Sequence, residues 1–160
     1  MSTKNSAIID SPLGQILLEG NENGLSKVHF LDDNHELSSY IPQCLAFAKR
    51  QLTEYFAGER KDFDLKLNPE GTDFQKRVWQ KLQEIPSGKT ATYLDMAKEL
   101  GDPKVIRAAA SANGKNPIAV IIPCHRVVGS DNSLTGYAGG LWRKKWLLEH
   151  ESPVKQTSLF

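Results

Sequence analysis

The chain is 160 residues long, 39% apolar and 24% charged, with a formal net charge of +1 at pH 7. That length buries a core without help from disulfides, and the composition is ordinary for a soluble globular protein of one domain or two small ones. No apolar run approaches the ~18 residues of a membrane span, and the opening Met1-Ser2-Thr3-Lys4-Asn5 lacks the apolar core of a signal peptide, so a cytoplasmic protein with no membrane partner is expected.

The charge is unevenly spread. Up to Lys66 there are 7 Lys/Arg against 10 Asp/Glu, and from Leu67 onward 13 against 9. The second half is therefore the side suited to a polyanion, although a protein holding nucleic acid by charge alone is usually more basic.

In chain order, Ala7-Ile8-Ile9, Gln15–Glu19 and Leu25–Phe30 are short, partly β-branched runs. The turn signals Ser11-Pro12-Leu13-Gly14 and Gly20–Gly24 separate them, which predicts a three-strand antiparallel meander with His29 facing solvent. From about Ser39 to Phe56 the apolar period lengthens to that of a helix, with Leu45, Ala48, Leu52, Tyr55 and Phe56 on one face. Cys44 sits in this helix among apolar residues, where a packing role is expected. Phe63–Leu67 alternates like one more strand, and Asn68–Gly71 makes a linker.

Thr72 then caps a helix with Phe74, Val78, Leu82 and Ile85 on its apolar face, stopped by Pro86-Ser87-Gly88. Thr90–Tyr93 is a brief extended piece. Leu94–Leu100 is a short helix with Leu94, Ala97 and Leu100 as its apolar face, Gly101-Asp102-Pro103 turns the chain, and Lys104–Asn113 forms the next helix. Two short helices joined by a tight turn fit a helix-turn-helix, with an ordinary packed helix pair as the alternative. The second helix favours the first reading. Ala108, Ala109, Ala110 and Ala112 leave it smooth enough to press against another surface, while Arg107 stands out as a side chain able to enter a groove or replace a displaced base.

The most informative stretch follows Asn116-Pro117. The apolar run Ile118–Ile122 predicts a strand-like segment that delivers Pro123-Cys124-His125-Arg126 into a basic neighbourhood. A thiolate is a potent nucleophile, and adjacent positive or proton-accepting groups favour it. The two cysteines, Cys44 and Cys124, show no Cys-x-x-Cys spacing and the four histidines are scattered, so neither a metal nor another cofactor is expected. Gly136-Tyr137-Ala138-Gly139-Gly140 could bring backbone N–H groups close to a small ligand. Leu141–Glu149 reads as a final helix ending in His150-Glu151.

Ile122-Pro123-Cys124-His125-Arg126-Val127, with Asn116-Pro117 upstream and Gly136–Gly140 downstream, strongly resembles the O6-alkylguanine-DNA alkyltransferases, also called methylated-DNA–protein-cysteine methyltransferases. The likeness extends through Thr92-Tyr93 and Arg107 to Trp146–Glu151. It implies an α/β (α+β) fold: a small N-terminal antiparallel-sheet domain, ribonuclease H-like, over residues 1–68, then a mainly helical domain with a winged-helix-like helix-turn-helix over 69–152, and a flexible tail over 153–160. It also implies direct, single-turnover repair of double-stranded DNA bound through the minor groove by a monomer, with the alkylated base flipped out. The alkyl group would pass from O6 of guanine, and from O4 of thymine in some cases, to Cys124.

By the same resemblance His125 is the base, acting through a water, and Glu151 orients it. Tyr93 helps turn the nucleotide out and donates a proton to the guanine, and Arg107 fills the gap in the base stack. Ala108 and Ala109 lie against the DNA, and Asn116 ties the recognition helix to the active-site segment. Backbone groups of Cys124 and Val127 read the base edge, while Tyr137 and the N–H of Ala138 line the pocket. Outside those roles, Trp79, Trp142 and Trp146 are read as packing residues, Arg126 as an internal ion-pair partner, and Arg143-Lys144-Lys145 as a solvated helix face that could touch phosphates. The alternatives are a lesion-binding protein of the same fold without chemistry, a conventional cysteine hydrolase, and a helix-turn-helix regulator.

Overall fold

Alternating side chains organise the first sheet. Strands β1 (Asn5–Ile9), β2 (Ile16–Asn21) and β3 (Gly24–Phe30) pair antiparallel in that order, with Ile9 opposite Ile16, Leu18 opposite Val28 and Ile16 opposite Phe30. Ala7, Ile9, Ile16, Leu18, Val28 and Phe30 are all buried, and His29 points to solvent as its place in the alternation requires. Gly24 makes the β2–β3 turn at φ +133°, and a Cβ there would meet the Lys66 carbonyl oxygen at 2.9 Å, so both torsion and space demand glycine. This is a computed structural model, and it describes residues 3–131 and 133–153. Residues 154–160, most of the expected tail, lie outside that range.

Two compact units are present. One runs up to Glu70 and takes in Pro117–Ala119; the other comprises Gly71–Asn116 and the chain from Val120 onward. In the first, helix α1 (Gln43–Phe56) lays Leu45, Ala48, Leu52 and Tyr55 over the sheet. It starts later than its apolar pattern suggests because Pro42 stands at the N-cap, and a proline pushes the residue before it out of helical torsions. Cys44 is exposed rather than packed: Leu45 takes the inward position, and Cys44 lies one ~100° helical step away.

The expected strand at Phe63–Leu67 is reduced to one bridge, Leu25 to Leu67. The physical reason is Gln51, whose side chain donates to the Asp64 carbonyl at 3.0 Å and accepts from the Asp64 N–H at 2.9 Å, meeting the backbone demands a strand neighbour would otherwise meet. The expected strand Ile118–Ile122 is likewise absent. Ile118 bridges Val28, with the Val28 N–H donating to Pro117 and the Ala119 N–H to Val28. Val120 then turns to φ 71°, a strained torsion for a β-branched residue that ends any extended run.

In the second unit, α2 (Asp73–Leu82) opens on a reciprocal capping box between Thr72 and Gln75. Its inner face is Val78, Trp79 and Leu82, and the Trp79 indole donates to the Ala112 carbonyl at 2.8 Å. Strand β4 (Ala91–Thr92) leads into α3 (Tyr93–Glu99), capped by a second box in which Thr92 and Asp95 exchange bonds. Met96 and Ala97 face inward, while Leu94, expected on the apolar face, is exposed. Gly101 at φ +96° and a 3-10 turn over Pro103–Val105 lead to α4 (Ile106–Gly114), so α3 and α4 form the helix-turn-helix. Strand β5 (Val127–Val128) pairs parallel with β4, and α5 (Leu141–Glu151) closes the unit, two residues longer than expected. Among the described residues no helix is long and apolar enough to cross a membrane.

Candidate active site

Cys124 begins a single 3-10 turn, Cys124–Arg126, and is only 6% exposed. Its backbone is held from both sides. The Asn116 side chain, just past the end of α4, donates to the Ile122 carbonyl at 2.7 Å. Asn113, inside α4, donates to the Cys124 carbonyl at 3.4 Å. Immediately afterwards Val127 enters the ladder with β4. Two asparagines at the end of α4 therefore hold the backbone on either side of Pro123.

The thiol environment differs from a simple basic pocket. Burial pushes the Cys124 thiol up, and a hydrogen bond from Asn116 and the Lys144 charge pull the other way. The two neighbours in sequence turn aside, because a 3-10 turn rotates successive side chains by about 120°. His125 Nε2 lies 2.8 Å from Glu151 Oε2, and Arg126 donates through Nε and Nη2 to the two oxygens of the same carboxylate at 2.8 and 2.9 Å. Nη1 of Arg126 donates to the Ile85 carbonyl at 2.7 Å, so this arginine is an internal ion-pair partner.

Burial works against ionisation of Glu151, but the His125 and Arg126 charges and hydrogen bonds outweigh it and hold the carboxyl well below the usual carboxylate range. An ionised Glu151 accepts, so Nε2 of His125 carries a proton, and whenever the ring holds only that one proton Nδ1 offers a lone pair. Nδ1 is buried and has no hydrogen-bond partner among the described residues.

Tyr137 stands close by. Its hydroxyl is buried without a partner among the described residues; burial, then the neighbouring Cys124 charge, raise it well above the usual phenol value, so it stays a proton-bearing donor. Lys144 supplies an unexpected support. Instead of belonging to a solvated face, Arg143 and Lys144 are buried. The Lys144 ammonium donates to the carbonyls of Val127 at 2.7 Å, Thr135 at 2.6 Å and Gly136 at 3.3 Å, clamping β5 to the loop that presents Tyr137. Desolvation lowers its pKa to about 8, against some support from Cys124. Arg143 donates to the Gly139 carbonyl at 2.9 Å and so steadies the same loop.

Comparison with known proteins agrees with this geometry. Residues 6–69 match the ribonuclease-like domain, and residues 73–153 the DNA binding domain, of 6-O-methylguanine DNA methyltransferase. The chain belongs to the 6-O-methylguanine DNA methyltransferase family. It is 52% identical over 150 residues to a methylated-DNA–protein-cysteine methyltransferase of Methanosarcina acetivorans, covering 91% of this chain and 96% of the relative. A namesake from Mycolicibacterium paratuberculosis is 44% identical over 155 residues, covering 94% of each. Among solved structures, Mycobacterium tuberculosis O6-methylguanine methyltransferase superposes with a TM-score of 0.83 at 44% identity over 93% of both chains. The Mycobacterium tuberculosis OGT in complex with DNA gives 0.83 at 45% over 91% of this chain and 92% of that one.

The remaining residues expected at the site lie on the helix-turn-helix, β5 and the glycine loop. Tyr93 is the first residue of α3, half-buried. Arg107 and Ala108 are exposed at the start of α4, but Ala109 is buried, because the i, i+3, i+4 row Ala109-Ala112-Asn113 faces the core; it is not a surface contact. The Val127 side chain is buried and its carbonyl already accepts from Lys144, while its N–H bonds to the Cys124 carbonyl. Ala138 is exposed in the loop. Trp79 packs as expected, Trp146 is half-buried and stacks on His150 at 4.6 Å, and Trp142 is 58% exposed with the Arg143 guanidinium 4.7 Å over its ring, so it is no packing residue. Among the described residues no group of three His, Cys, Asp or Glu could hold a metal ion.

Asn113 was not singled out in the sequence, and Lys144 was read there as part of a solvated face. A signal existed for both. Lys144, Leu147, Leu148 and Glu151 follow the i, i+3, i+4, i+7 spacing of one helix face, which marks a lysine and a glutamate sharing a face with core leucines. Asn113 ends the equivalent row on α4.

Proposed function

We propose that this protein repairs alkylated DNA directly, by moving an alkyl group from O6 of guanine in duplex DNA onto Cys124, one transfer per chain. The observation that carries this reading is a buried cysteine whose neighbour His125 is held by Glu151 through Nε2 and keeps Nδ1 open as a base. In the reaction the Cys124 proton passes through a water to His125 Nδ1. Sulfur then attacks the alkyl carbon, the carbon–O6 bond breaks, and its electron pair goes to O6. The departing guanine takes up a proton from Tyr93, which regains one from solvent as His125 releases the proton it took from Cys124, so that guanine ends with the proton the sulfur lost. The Tyr137 hydroxyl and the Ala138 N–H stabilise the charge growing on O6, where an aimed donor in a water-poor site is most effective.

In-line attack on the alkyl carbon is impossible inside a base stack. The base must leave the duplex, at a cost of a few kcal/mol. Arg107 and Ala108, exposed at the start of α4, suit an approach through the minor groove in which Arg107 fills the vacated space. The protein acts as a monomer in the cytoplasm, and O4-alkylthymine is a second substrate. The non-catalytic, lesion-binding alternative gains no support, since relatives of about half identity are named methyltransferases and the cysteine here comes with its histidine–glutamate partner. The test is incubation with a duplex carrying one O6-methylguanine: one methyl group should appear on Cys124, and the Cys124→Ser variant should bind the duplex yet leave the methyl on the base.

A further inference from the structure

Asn113 is a buried polar residue on the inner row of α4, between helix and cysteine, and the reaction described above gives it no task. Its Nδ2 donates to the Cys124 carbonyl at 3.4 Å, a bond that carbonyl does not need for satisfaction because it already accepts from the Val127 N–H. Its Oδ1 is buried with no hydrogen-bond partner among the described residues. A buried acceptor left unpaired costs stability, and an apolar side chain of similar shape would avoid that cost. Fold stability therefore does not account for asparagine here. What the residue does accomplish is mechanical: the helix that exposes Arg107 and Ala108 at its first turn holds, by its last turn, the carbonyl of the residue that bears the sulfur. Asn116 makes the companion contact to Ile122, on the other side of Pro123, so the cysteine is held at both flanks by the end of one helix.

We propose that Asn113 is a positioning residue for the transfer, aligning the Cys124 sulfur with the seat of α4 on the DNA. The proposal rests on the repair reading given above. It separates alignment from binding: DNA affinity comes from the exposed start of α4, and the rate within the complex comes from its buried end.

The experiment measures single-turnover methyl transfer from an O6-methylguanine duplex by the full chain, for wild type, Asn113→Leu and Asn113→Asp. For the leucine variant the transfer rate constant at saturating DNA should fall at least tenfold, while the half-saturating DNA concentration, the reactive fraction and the pH–rate midpoint stay at wild-type values and the thermal midpoint is unchanged or higher. The aspartate variant keeps the shape but cannot donate to Cys124. It should lose rate similarly and move the pH–rate midpoint upward, since a negative charge opposes the thiolate; it also serves if the leucine variant fails to fold. A rate constant within twofold of wild type in either folded variant would overturn the proposal. So would a loss that follows a lowered reactive fraction and thermal midpoint, which is the mark of a structural role alone. A wild-type chain that leaves the methyl on guanine would defeat the repair reading and this inference together, whereas reactive wild type with equally reactive variants would defeat the inference alone.

Discussion

His125 Nε2 and Glu151 Oε2 lie 2.8 Å apart, with the two side chains 0% and 2% exposed. One belongs to the turn that carries the cysteine and the other to the last residue of α5. Their bond fixes which ring nitrogen holds the proton, and the bidentate grip of Arg126 on the same carboxylate fixes the carboxylate itself. The His125 ring, and with it Nδ1, is thus oriented by the Glu151 carboxylate and its Arg126 partner.

Glu151→Gln should break that unit. Removing one partner of a buried ion pair leaves Arg126 uncompensated, a loss of about 3 kcal/mol at pH 7. The folded-state pKa of Glu151 lies below its ordinary value of 4.5. Its contribution to stability is therefore complete above that value and declines as the pH falls toward the folded pKa. Urea unfolding between pH 7 and pH 3 should show this decline in wild type and a flatter, lower curve in the variant. The transfer rate should drop about 10²-fold, the lower range for acid–base catalysis, because the base proposed at His125 loses the carboxylate that orients it.

Lys144→Met should loosen the loop that holds Tyr137. Three carbonyls lose their charged donor, and leaving such groups buried and unpaired costs about 2 kcal/mol or more. Because the folded pKa of about 8 lies below the ordinary lysine value of 10.5, the folded protein gives up this proton before the unfolded chain does. Lys144 accordingly makes wild-type stability rise with pH through that window, and the methionine variant lacks that rise. Urea midpoints at pH 7, 8, 9 and 10 measure it.

The two capping boxes offer a paired test. Thr72→Ala and Thr92→Ala should each cost about 1 kcal/mol in urea unfolding. Only Thr92→Ala should slow transfer, because Thr92 caps the turn that begins with Tyr93.

Arg107→Ala should leave stability within about 0.5 kcal/mol, as expected for an exposed side chain. Transfer from a duplex should slow at least tenfold, while transfer from the free O6-methylguanine base should keep its wild-type rate. Equal losses on both substrates would place Arg107 in the chemistry rather than in base displacement.

The meander, α1, the helix-turn-helix and the Cys124 segment were legible in the sequence because each rests on local pattern: alternation, helical spacing, or a dense motif. The failures share one cause. Phe63–Leu67 alternates like a strand but has its backbone at Asp64 satisfied by Gln51 from α1, and Ile118–Ile122 is apolar because most of it is buried, while it pairs only at the Ile118–Val28 bridge. Arg143 and Lys144 look solvated until carbonyls from β5 and the glycine loop come within reach. Each is a long-range partner displacing a short-range default. Cys124 reads as a nucleophile from its sequence neighbours, but burial raises its thiol pKa and both neighbours turn to Glu151 instead of lowering it.

The central claim is that Cys124 accepts the alkyl group once and keeps it. Intact-protein mass measurement after reaction with excess O6-methylguanine duplex, followed by peptide mapping, tests it most directly. A gain of one methyl group per chain is expected, confined to the peptide bearing Cys124, with unmodified guanine left in the duplex. A reduced, folded chain that gains no mass, or that clears more than one lesion per molecule, would contradict it.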